Sequence, residues 1–595
     1  MNRLNRQAVY HKVNSAYAYM KDAQTMCLTL RTAHDVESVV LLTDHPDGWV
    51  KDEKSYYWKK TKIGMKKIYQ TALYIYWQVE HHPSNHQMRY GFLLEAEQES
   101  LLYIERGWFS PEDHFIENDI NSYFAFPYMH ESEVIQAPSW VNETIWYQVM
   151  PDRFYDPGNL SWGSSKHFGQ YDFHGGTLDG IREKLPYLKN LGISGIYLTP
   201  IFKSPTAHKY DTEDYMEIDP HFGTKESFKS LVDAAHALGI RVLLDGVFNH
   251  IGDQSVFFQD VLKHGEQSIY KDWFYIEQFP LEDEEDTRIV DHYRHFTPNM
   301  PKLNTINKEV QTYLIKVALY WIEEYNIDGW RLDVANEIDH AFLRILRTRL
   351  KDVRPDCYIV GEIWHHADAW LQGDQLDGVM NYPLGKPILE WIAANRLSTF
   401  EFQEQFVQAL LQYSENVNRG MLTLLDSHDA PRLYEYADYD REKTALCLVM
   451  LYLLPGSICL YYGTEIGIDG REDPTNRKPM QWAKEFSIDF KDLIKRLSSL
   501  RRSNLALFTG NQFEFLEVRE DLLILKKETK TQALYLLINQ SQKPQCIEIT
   551  ELKNRKGRDL LEQQSILIGD EVVLASASYK IYKFENKQNK MVTKY

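Results

Sequence analysis

The sequence predicts a (β/α)8 barrel as the central domain of a multidomain α/β protein. Apolar, β-rich runs alternate with amphipathic helical runs along the middle of the chain, and eight such units can be counted. Several of the β-rich runs end in a carboxylate. In addition, 595 residues are too many for one domain, so we expect further domains beside the barrel.

The barrel prediction depends on the spacing of helices and strands. Val310, Leu314, Val317 and Trp321 follow the spacing of one helix face. Strands that alternate with such helices form a parallel sheet, and eight units over roughly 360 residues suit a closed barrel with insertions. The strands are predicted near 144–150, 195–200, 241–247, 329–334, 358–363, 378–382, 421–426 and 457–462.

Other patterns flank the barrel, which we place at 142–504. Residues 1–130 contain alternating runs such as YIYWQV and predict a β-sandwich, and 131–141 are assigned to a linker. Residues 505–595 contain LLILKK and ALYLLI, separated by polar turns, and predict a C-terminal β-sandwich. After the third barrel strand, residues of about 250–303 lack the barrel pattern and are assigned to a small domain B.

The composition excludes several classes of protein. There are 85 acidic and 66 basic residues, and the net charge of −19 argues against nucleic-acid binding, which requires basic patches. Five scattered cysteines indicate neither a disulfide framework nor a metal site. No apolar run is long enough to span a bilayer, and the first residues lack the apolar core of a signal peptide. We therefore predict a cytoplasmic protein with a neutral substrate and no membrane partner.

The stretch GWRLDVANE at 329–337 carries the most chemical information. Arg331 and Asp333 lie two residues apart in a predicted strand, so both side chains point to the same side. A guanidinium beside a carboxylate favours the ionised form that a nucleophile requires, although a structural ion pair would fit this pair alone equally well. Three further β-rich runs end in a carboxylate, at the strand ends where such barrels carry their chemistry: Asp245, Glu362 and Asp429.

Four segments, DGVFNH, GWRLDVANE, GEIW and LLDSHD, resemble the signature regions of the α-amylase superfamily of glycoside hydrolases. Within that superfamily, MPKLN at 300–304 and VANE at 334–337 resemble the neopullulanase, cyclomaltodextrinase and maltogenic amylase group. Several motifs in the family's order are far more specific than any single motif. The resemblance is strongest from about 140 to 480.

The resemblance implies a retaining mechanism, which requires two carboxyl groups roughly 5–5.5 Å apart. Asp333, beside Arg331, would attack the anomeric carbon of the sugar. Glu362 lies in an apolar run, where burial favours the protonated form, and would protonate the departing oxygen and then activate water. Asp429 would bind sugar hydroxyls most strongly in the transition state. These three residues form the predicted catalytic group.

Further residues are assigned from their places in the motifs. His250 and His428 would hydrogen-bond substrate hydroxyls, while Asp245 and Asn249 would support their neighbours. Tyr147 would stack under the sugar ring, although an ordinary core tyrosine fits the composition equally well. The remaining predicted substrate contacts, beside the nucleophile or on the acceptor side, are Arg331, Glu337, Trp364 and Lys302.

We predict no bound metal and no cofactor. Many relatives bind calcium in an Asn- and Asp-rich loop after the motif PDRF, but this loop is poor in carboxylates, and Thr177 stands where relatives carry an aspartate. Calcium takes about six to eight oxygen ligands. Asp156, Asn159 and Asp172 would build only a weaker calcium site.

The predicted activity is hydrolysis of α-1,4-glucosidic bonds in cyclodextrins, pullulan and maltooligosaccharides, with some transglycosylation. The resemblance also implies a homodimer formed through the N-terminal domain. Two alternatives stay open. An α-1,6-glucosidase or glucosyl isomerase would use the same barrel, but such relatives resemble QPDLN where this chain has MPKLN. A non-catalytic carbohydrate-binding relative would be expected to have lost one of the three catalytic carboxyl groups.

Overall fold

Eight parallel strands form a closed barrel in the computed structural model, which describes residues 4–51, 56–159, 162, 169, 172–283, 285, 287–482 and 488–586. The barrel strands, numbered in chain order, are β1 Ile145–Val149, β2 Gly195–Leu198, β3 Arg241–Gly246, β4 Gly329–Leu332, β5 Tyr358–Gly361, β6 Gly378–Val379, β7 Leu422–Leu424 and β8 Ser457–Tyr461. A parallel bridge between Met380 and Leu422 joins β6 to β7 and closes the ring. The predicted barrel is therefore confirmed.

The barrel strands are buried on both faces, which explains why they are continuously apolar rather than alternating. Apart from the half-buried Arg241, every residue of the eight strands is buried. Because neighbouring strands run in the same direction, their carboxyl ends meet at one end of the barrel.

The helices begin and end at identifiable residues. Lys308–Tyr325, for example, follows Asn307, whose side chain accepts the N–H of Glu309 at 2.8 Å, and it ends at Asn326 in the left-handed conformation. None of the described helices combines the length and apolar character needed to cross a membrane. The α-helices are His114–Glu117, Leu178–Leu191, Lys225–Ala237, Val256–His264, Lys308–Tyr325, His340–Val353, Tyr382–Ile388, Thr399–Leu410, Glu415–Gly420, Leu433–Tyr436, Arg441–Tyr452, Lys491–Ser503 and Leu505–Thr509.

Two aspartates fasten the amino ends of the barrel strands. Asp328 comes directly before β4 and accepts the N–H of Val242 in β3 at 2.8 Å. Asp377 comes directly before β6 and accepts the N–H of Ile359 in β5 at 2.9 Å. Both carboxylates also pair with basic side chains, which are Arg241, Arg354, Arg347 and Lys351. The same device is thus used twice to tie one strand to the next at this end of the barrel.

The chain between β3 and the helix at Lys308 forms the predicted small domain B. It contains the helix Val256–His264 and is otherwise built from turns and isolated antiparallel bridges. One bridge pairs His250 with Lys302, and so connects the end of β3 to the MPKLN segment. This bridge brings two predicted site residues to the carboxyl end of the barrel.

The chain divides into two compact units. One consists of Ala137–Arg396 and Arg419–Gly510 and contains the barrel, and the other consists of Met1–Gln136, Leu397–Asn418 and Asn511–Tyr595. From the sequence we assigned the whole of 142–504 to the barrel domain. The segment Leu397–Asn418 instead belongs to the unit that contains the N-terminal and C-terminal strands. Its helical periodicity alone does not distinguish it from a helix of the barrel.

Both flanking domains are β-sandwiches, as predicted. In the N-terminal one, two antiparallel sheets pack around a core that includes Leu30, Trp77 and Phe92. Its described strands are Ala18–Met20, Met26–Thr32, Ser38–Asp44, Trp49–Lys51, Tyr56–Trp58, Thr61–Gly64, Lys66–Gln70, Ile75–His81, Met88–Glu95, Ser100–Ile104, Gly107–Phe109 and Phe124–Phe126. The described C-terminal strands are Glu514–Arg519, Leu522–Glu528, Gln532–Asn539, Gln545–Ile547, Lys556–Asp559, Gln564–Leu567, Val572–Leu574 and Ser578–Glu585.

Candidate active site

Strand register brings the predicted carboxyl groups together at the carboxyl end of the barrel. Asp245 in β3 lies opposite Arg331 in β4. Just beyond the strands, the N–H groups of Asp333 and Glu362 continue the two ladders by donating to the last residues of β3 and β4, at 3.1 and 2.9 Å. The four side chains therefore start from adjacent positions on three neighbouring strands.

Arg331 joins the three carboxyl groups. Its Nη1 lies 2.8 Å from Asp245 Oδ1 and 2.7 Å from Asp333 Oδ1, and its Nη2 lies 2.8 Å from Glu362 Oε2. The arginine side chain is completely buried, so water screens none of these ion pairs. The two predicted reacting carboxyl groups are thus held by different nitrogens of one guanidinium.

Burial dominates the electrostatics of this cluster. It raises the pKa of Asp333 well above its ordinary value, against the opposing charge of Arg331, and it raises the pKa of Asp245 to about 6. The sequence predicted that Arg331 would favour ionisation of Asp333, and the structure gives the opposite net direction. The reason is that burial removes water while one guanidinium is shared among three carboxyl groups.

Glu362 is held by two further donors. The backbone N–H of Val334 lies 3.2 Å from Oε2, and Trp364 Nε1 lies 3.1 Å from Oε1. Val334 has a φ of +43°, which is rare for a β-branched residue and costs about 1–3 kcal/mol. The ring of Trp364 is stacked on Tyr382, with centroids 3.6 Å apart. Strained backbone and a fixed indole therefore orient the Glu362 carboxyl group.

Asp429 lies between two donors and is one-third exposed to the cleft. His428 Nε2 is 3.0 Å from its Oδ2, and Arg477 Nη2 is 2.9 Å from its Oδ1. Arg477 was not predicted from the sequence, because it lies in the short 3-10 turn Thr475–Arg477, which shows no periodic pattern. Its guanidinium also pairs with Asp473, so it connects two carboxylates that line the cleft.

Each of the two predicted histidines lies beside one of the predicted catalytic carboxyl groups. His250 Nε2 is 3.9 Å from Asp333 Oδ2 and has no hydrogen-bond partner among the described residues. Asn249 Nδ2 lies 3.2 Å from its Nδ1, which gives Asn249 the predicted supporting position. Burial lowers the pKa of His250 to about 3 and that of His428 well below its ordinary value. Both rings are therefore neutral near pH 7.

A cleft of about 410 Å³, within the range usual for small-molecule sites, is lined by Asp333, Glu362, Asp429, Arg477 and His250. Phe296 and Trp364 line it as well and are about half exposed. Phe296 lies parallel to His250, with ring centroids 5.0 Å apart. Exposed aromatic faces beside buried carboxyl groups suit a ligand with apolar ring faces and many hydroxyls, such as a sugar.

Tyr147 does not line this cleft, so the prediction that it stacks under a sugar is wrong. It is completely buried in β1, and its hydroxyl donates to Glu465 Oε1 at 2.7 Å. Tyr210 lines the cleft instead, and its hydroxyl is 2.5 Å from His428 Nε2. Only the fold shows which of the two tyrosines faces the cleft.

Lys302 and Glu337 form an ion pair in the structure, with Nζ 3.0 Å from Oε2. Lys302 Nζ also donates to Asn249 Oδ1 and to the backbone oxygen of Glu337. Glu337 belongs to the short 3-10 turn that follows Asp333. The MPKLN and VANE motifs are therefore linked directly to one another beside the predicted catalytic carboxyl groups.

The loop after β1 contains the residues considered for calcium. Asp156 and Asp172 accept backbone N–H groups of their own turns, from Gly158 at 2.9 Å and Gly169 at 2.7 Å. Thr177 caps the helix Leu178–Leu191 by accepting the N–H of Gly180. Among the described residues, which omit much of 160–171, no group of three or more acidic, histidine or cysteine side chains is placed to hold a metal.

Comparisons with known proteins agree with this geometry. The family description "Alpha amylase, catalytic domain" matches residues 148–533, and "Alpha amylase, N-terminal ig-like domain" matches residues 4–130. A cyclomaltodextrinase of Geobacillus thermopakistaniensis is 44% identical, with 90% of this chain and 92% of the relative covered. An intracellular maltogenic amylase of Bacillus subtilis is 40% identical over 96% of this chain and 98% of the relative.

A solved cyclomaltodextrinase structure superposes with a TM-score of 0.88 at 35% sequence identity, and the match covers 97% of this chain and 99% of that one. The similarity therefore extends through the barrel and both flanking domains. The catalytic-domain match also spans more than half of the chain. The chain belongs to the alpha-amylase family of glycoside hydrolases.

Proposed function

We propose that this enzyme hydrolyses α-1,4-glucosidic bonds in cyclodextrins, pullulan and maltooligosaccharides, with retention of configuration and some transglycosylation. The observation that carries the proposal is that Arg331 forms ion pairs with both Asp333 and Glu362, and that these two carboxyl groups line a cleft together with aromatic side chains. Retaining glycosidases need two carboxyl groups that act on the same glycosidic bond.

In this mechanism Asp333 is the nucleophile and Glu362 is the acid and then the base. Asp333 Oδ2, the oxygen that Arg331 Nη1 does not bind, attacks the anomeric carbon. Glu362 protonates the leaving oxygen as the glycosidic bond breaks, which leaves the sugar bonded to Asp333. Glu362 then takes a proton from a water molecule that attacks the anomeric carbon and displaces the Asp333 carboxylate. The surplus of carboxyl groups over cations in the cluster favours a shared proton, and the mechanism places that proton on Glu362.

The other site residues bind the sugar. Asp429, held by His428 and Arg477, is free to accept hydrogen bonds from sugar hydroxyls on its exposed side. His250 Nε2 is available to donate to a hydroxyl next to the nucleophile. We assign the acceptor side to Trp364, which donates to the acid Glu362, and to the ion pair formed by Lys302 and Glu337.

We further propose that the enzyme acts in the cytoplasm, without a bound metal, on imported oligosaccharides. The similarity to a relative named intracellular maltogenic amylase supports the location. We also propose a homodimer formed through the N-terminal sandwich. Sedimentation at enzyme concentrations from nanomolar to micromolar tests the dimer, and a monomer over that whole range would contradict it.

Product analysis on β-cyclodextrin, pullulan and soluble starch tests the proposed activity. We expect fast opening of β-cyclodextrin to maltose and glucose, panose from pullulan, and slow attack on starch. Starch cleaved fastest with cyclodextrin untouched would instead indicate an ordinary α-amylase. If none of the three is cleaved, the 1,6-specific or non-catalytic alternatives would replace the proposal.

A further inference from the structure

Gln148 contacts the site from inside the barrel without lining the cleft. It lies in β1, is completely buried, and places its Nε2 2.7 Å from His428 Nδ1. A carboxamide nitrogen can donate a hydrogen bond but cannot accept one. With this contact, His428 Nδ1 must be the acceptor and must carry no proton.

The other side of the His428 ring favours the same tautomer. His428 Nε2 lies 3.0 Å from Asp429 Oδ2, and an ionised carboxylate can only accept, so this contact favours a proton on Nε2. The Asp429 carboxylate is one-third exposed and can be solvated by water instead, so it does not fix the tautomer by itself. Burial and the nearby Arg477 and Arg331 lower the pKa of His428 well below its ordinary value, so the ring is neutral and has only one proton to place.

The contact extends into a chain of hydrogen bonds with one direction. His428 Nε2 is also 2.5 Å from the hydroxyl of Tyr210, which in turn donates to Asp245 Oδ2 at 3.2 Å, so Asp429 and Tyr210 share the one proton on Nε2. The Gln148 nitrogen only donates at one end of this chain, and the Asp245 carboxylate only accepts at the other. Only one arrangement of the protons between them is then possible. Asp245 also forms an ion pair with Arg331, so the chain of hydrogen bonds extends to that guanidinium.

Gln148 is a poor choice for stability alone. Its Oε1 is buried and accepts no hydrogen bond within the described part of the chain. A buried polar atom without a partner costs about 1–3 kcal/mol, so an apolar residue of the same shape would stabilise the barrel better. We therefore expect Gln148 to serve the function of the site through its contact with His428 rather than to stabilise the fold.

We propose that Gln148 is a positioning residue that fixes His428 in its Nε2–H tautomer. His428 then always presents a donor to Asp429, and Asp429 keeps its remaining lone pairs for the sugar hydroxyls. Without the donor from Gln148, either ring nitrogen can hold the proton, and the Nδ1–H form would place two acceptors face to face at Asp429.

Nitrogen NMR of the full-length protein, labelled with ¹⁵N in histidine, tests this directly. The His428 signals are assigned by their absence from His428→Gln. We expect Nε2 to be protonated and Nδ1 unprotonated in the wild type. In Gln148→Glu the new carboxylate accepts from the ring, so Nδ1 becomes protonated. In Gln148→Met the donor is lost at similar volume, and the two tautomers mix.

A protonated Nδ1 in the wild type, or unchanged His428 signals in Gln148→Met, would overturn the proposal. Gln311→Met is the matched control, because Gln311 is also a buried carboxamide donor but bonds a backbone oxygen of Thr305. It should leave the His428 signals and the activity as in the wild type. Thermal unfolding of each variant shows whether the barrel is intact.

Activity supplies the second readout and rests on the proposed function. On β-cyclodextrin we expect kcat of Gln148→Glu to fall roughly 10²-fold, the scale of a misplaced contact, with a smaller change in KM. A raised KM with an unchanged kcat would contradict a role in orienting Asp429. If the wild type cleaves none of the glucans but shows the expected tautomer, the proposed function fails and the role of Gln148 in setting the tautomer stands.

Discussion

Arg331 determines how the carboxyl groups at the strand ends share charge. It brings one positive charge into a buried site, whereas Asp245, Asp333 and Glu362 bring up to three negative ones. An unbalanced buried charge is costly, and taking up a proton is the cheapest compensation. The raised pKa of Asp333 in the free enzyme follows from this imbalance. The proposed mechanism requires that proton to lie on Glu362 rather than on Asp333 when the nucleophile attacks.

Replacing Glu362 by Gln tests its assignment as the acid. We expect the rate on maltooligosaccharides to fall roughly 10²–10⁴-fold, because proton transfer to the leaving oxygen is lost. Aryl glucosides with a nitrophenolate leaving group need little protonation, and their cleavage should be partly spared. Steady-state rates on both substrates give the comparison. An equal loss on the two would mean that Glu362 is not the acid.

Replacement by phenylalanine distinguishes the roles of Tyr147 and Tyr210. Tyr147→Phe removes a hydrogen bond to buried Glu465, and should destabilise the fold by about 1–3 kcal/mol while leaving KM unchanged. Tyr210→Phe removes the hydroxyl between His428 and Asp245, and should lower kcat/KM about tenfold. Thermal unfolding and kinetics on β-cyclodextrin measure both variants. A raised KM in Tyr147→Phe alone would restore the sugar-stacking assignment.

At the scale of single elements, a lysine fastens the loop after β1. Lys184, on the helix Leu178–Leu191, places Nζ 3.7 Å from the ring centroid of Tyr155 and 4.9 Å from that of Trp482. A desolvated cation over an aromatic ring contributes about 0.5–2 kcal/mol. The contact ties the loop, the helix and the segment at Trp482 together.

Lys184→Met should therefore lower the free energy of unfolding by about 0.5–2 kcal/mol, with the apolar stem of the side chain preserved. Chemical denaturation followed by tryptophan fluorescence measures the change. Lys189→Met, an exposed position on the same helix, is the control and should have little effect. Equal stability of the two variants would contradict a fastening role for Lys184.

The same loop leads to a prediction about calcium. Asp156 and Asp172 already accept hydrogen bonds in their own turns, and Thr177 caps a helix rather than supplying a carboxylate. We expect that prolonged dialysis against a chelator leaves the melting temperature and the activity unchanged. A melting temperature that falls with the chelator and recovers with added calcium would show a bound ion.

How much of these elements the sequence predicts depends on their periodicity. All eight barrel strands were predicted within a few residues, because strands buried on both faces leave continuous apolar runs. Arg477 and Phe296 were missed, since each lies in an irregular segment whose path is set by tertiary contacts. The sequence placed Arg331 beside Asp333, but its ion pairs with the two other carboxyl groups depend on the register of β3, β4 and β5.

At the scale of the whole molecule, the stability of the N-terminal sandwich depends on pH. The N-terminal sandwich encloses His11, whose Nδ1 donates to Thr29 O at 2.8 Å and whose Nε2 lies 2.9 Å from the hydroxyl of Tyr90. Burial lowers the pKa of His11 to about 4. The unfolded chain, with an ordinary histidine, takes up a proton first as the pH falls.

The contribution of His11 to sandwich stability is therefore fully present above about pH 6.5 and is lost as the pH falls toward 4. The loss amounts to roughly 1.4 kcal/mol for each pH unit in that window. Hydrogen exchange in the strands Met26–Thr32 and Met88–Glu95 at pH 7 and 5 measures it. His11→Gln should reduce the difference between the two pH values, while exposed His34→Gln should not. A difference that persists in His11→Gln would assign the effect to other groups.

The aspartates before β4 and β6 have a consequence for how such an enzyme diversifies. Asp328 and Asp377 lock the strands at the end of the barrel opposite to the cleft, and they do so without any help from the loops that bind sugar. Mutations in those loops can then accumulate, or whole loops can be exchanged between relatives, while the barrel keeps its register. The molecule is thus divided into a frame that resists change and a rim on which new specificities can be selected.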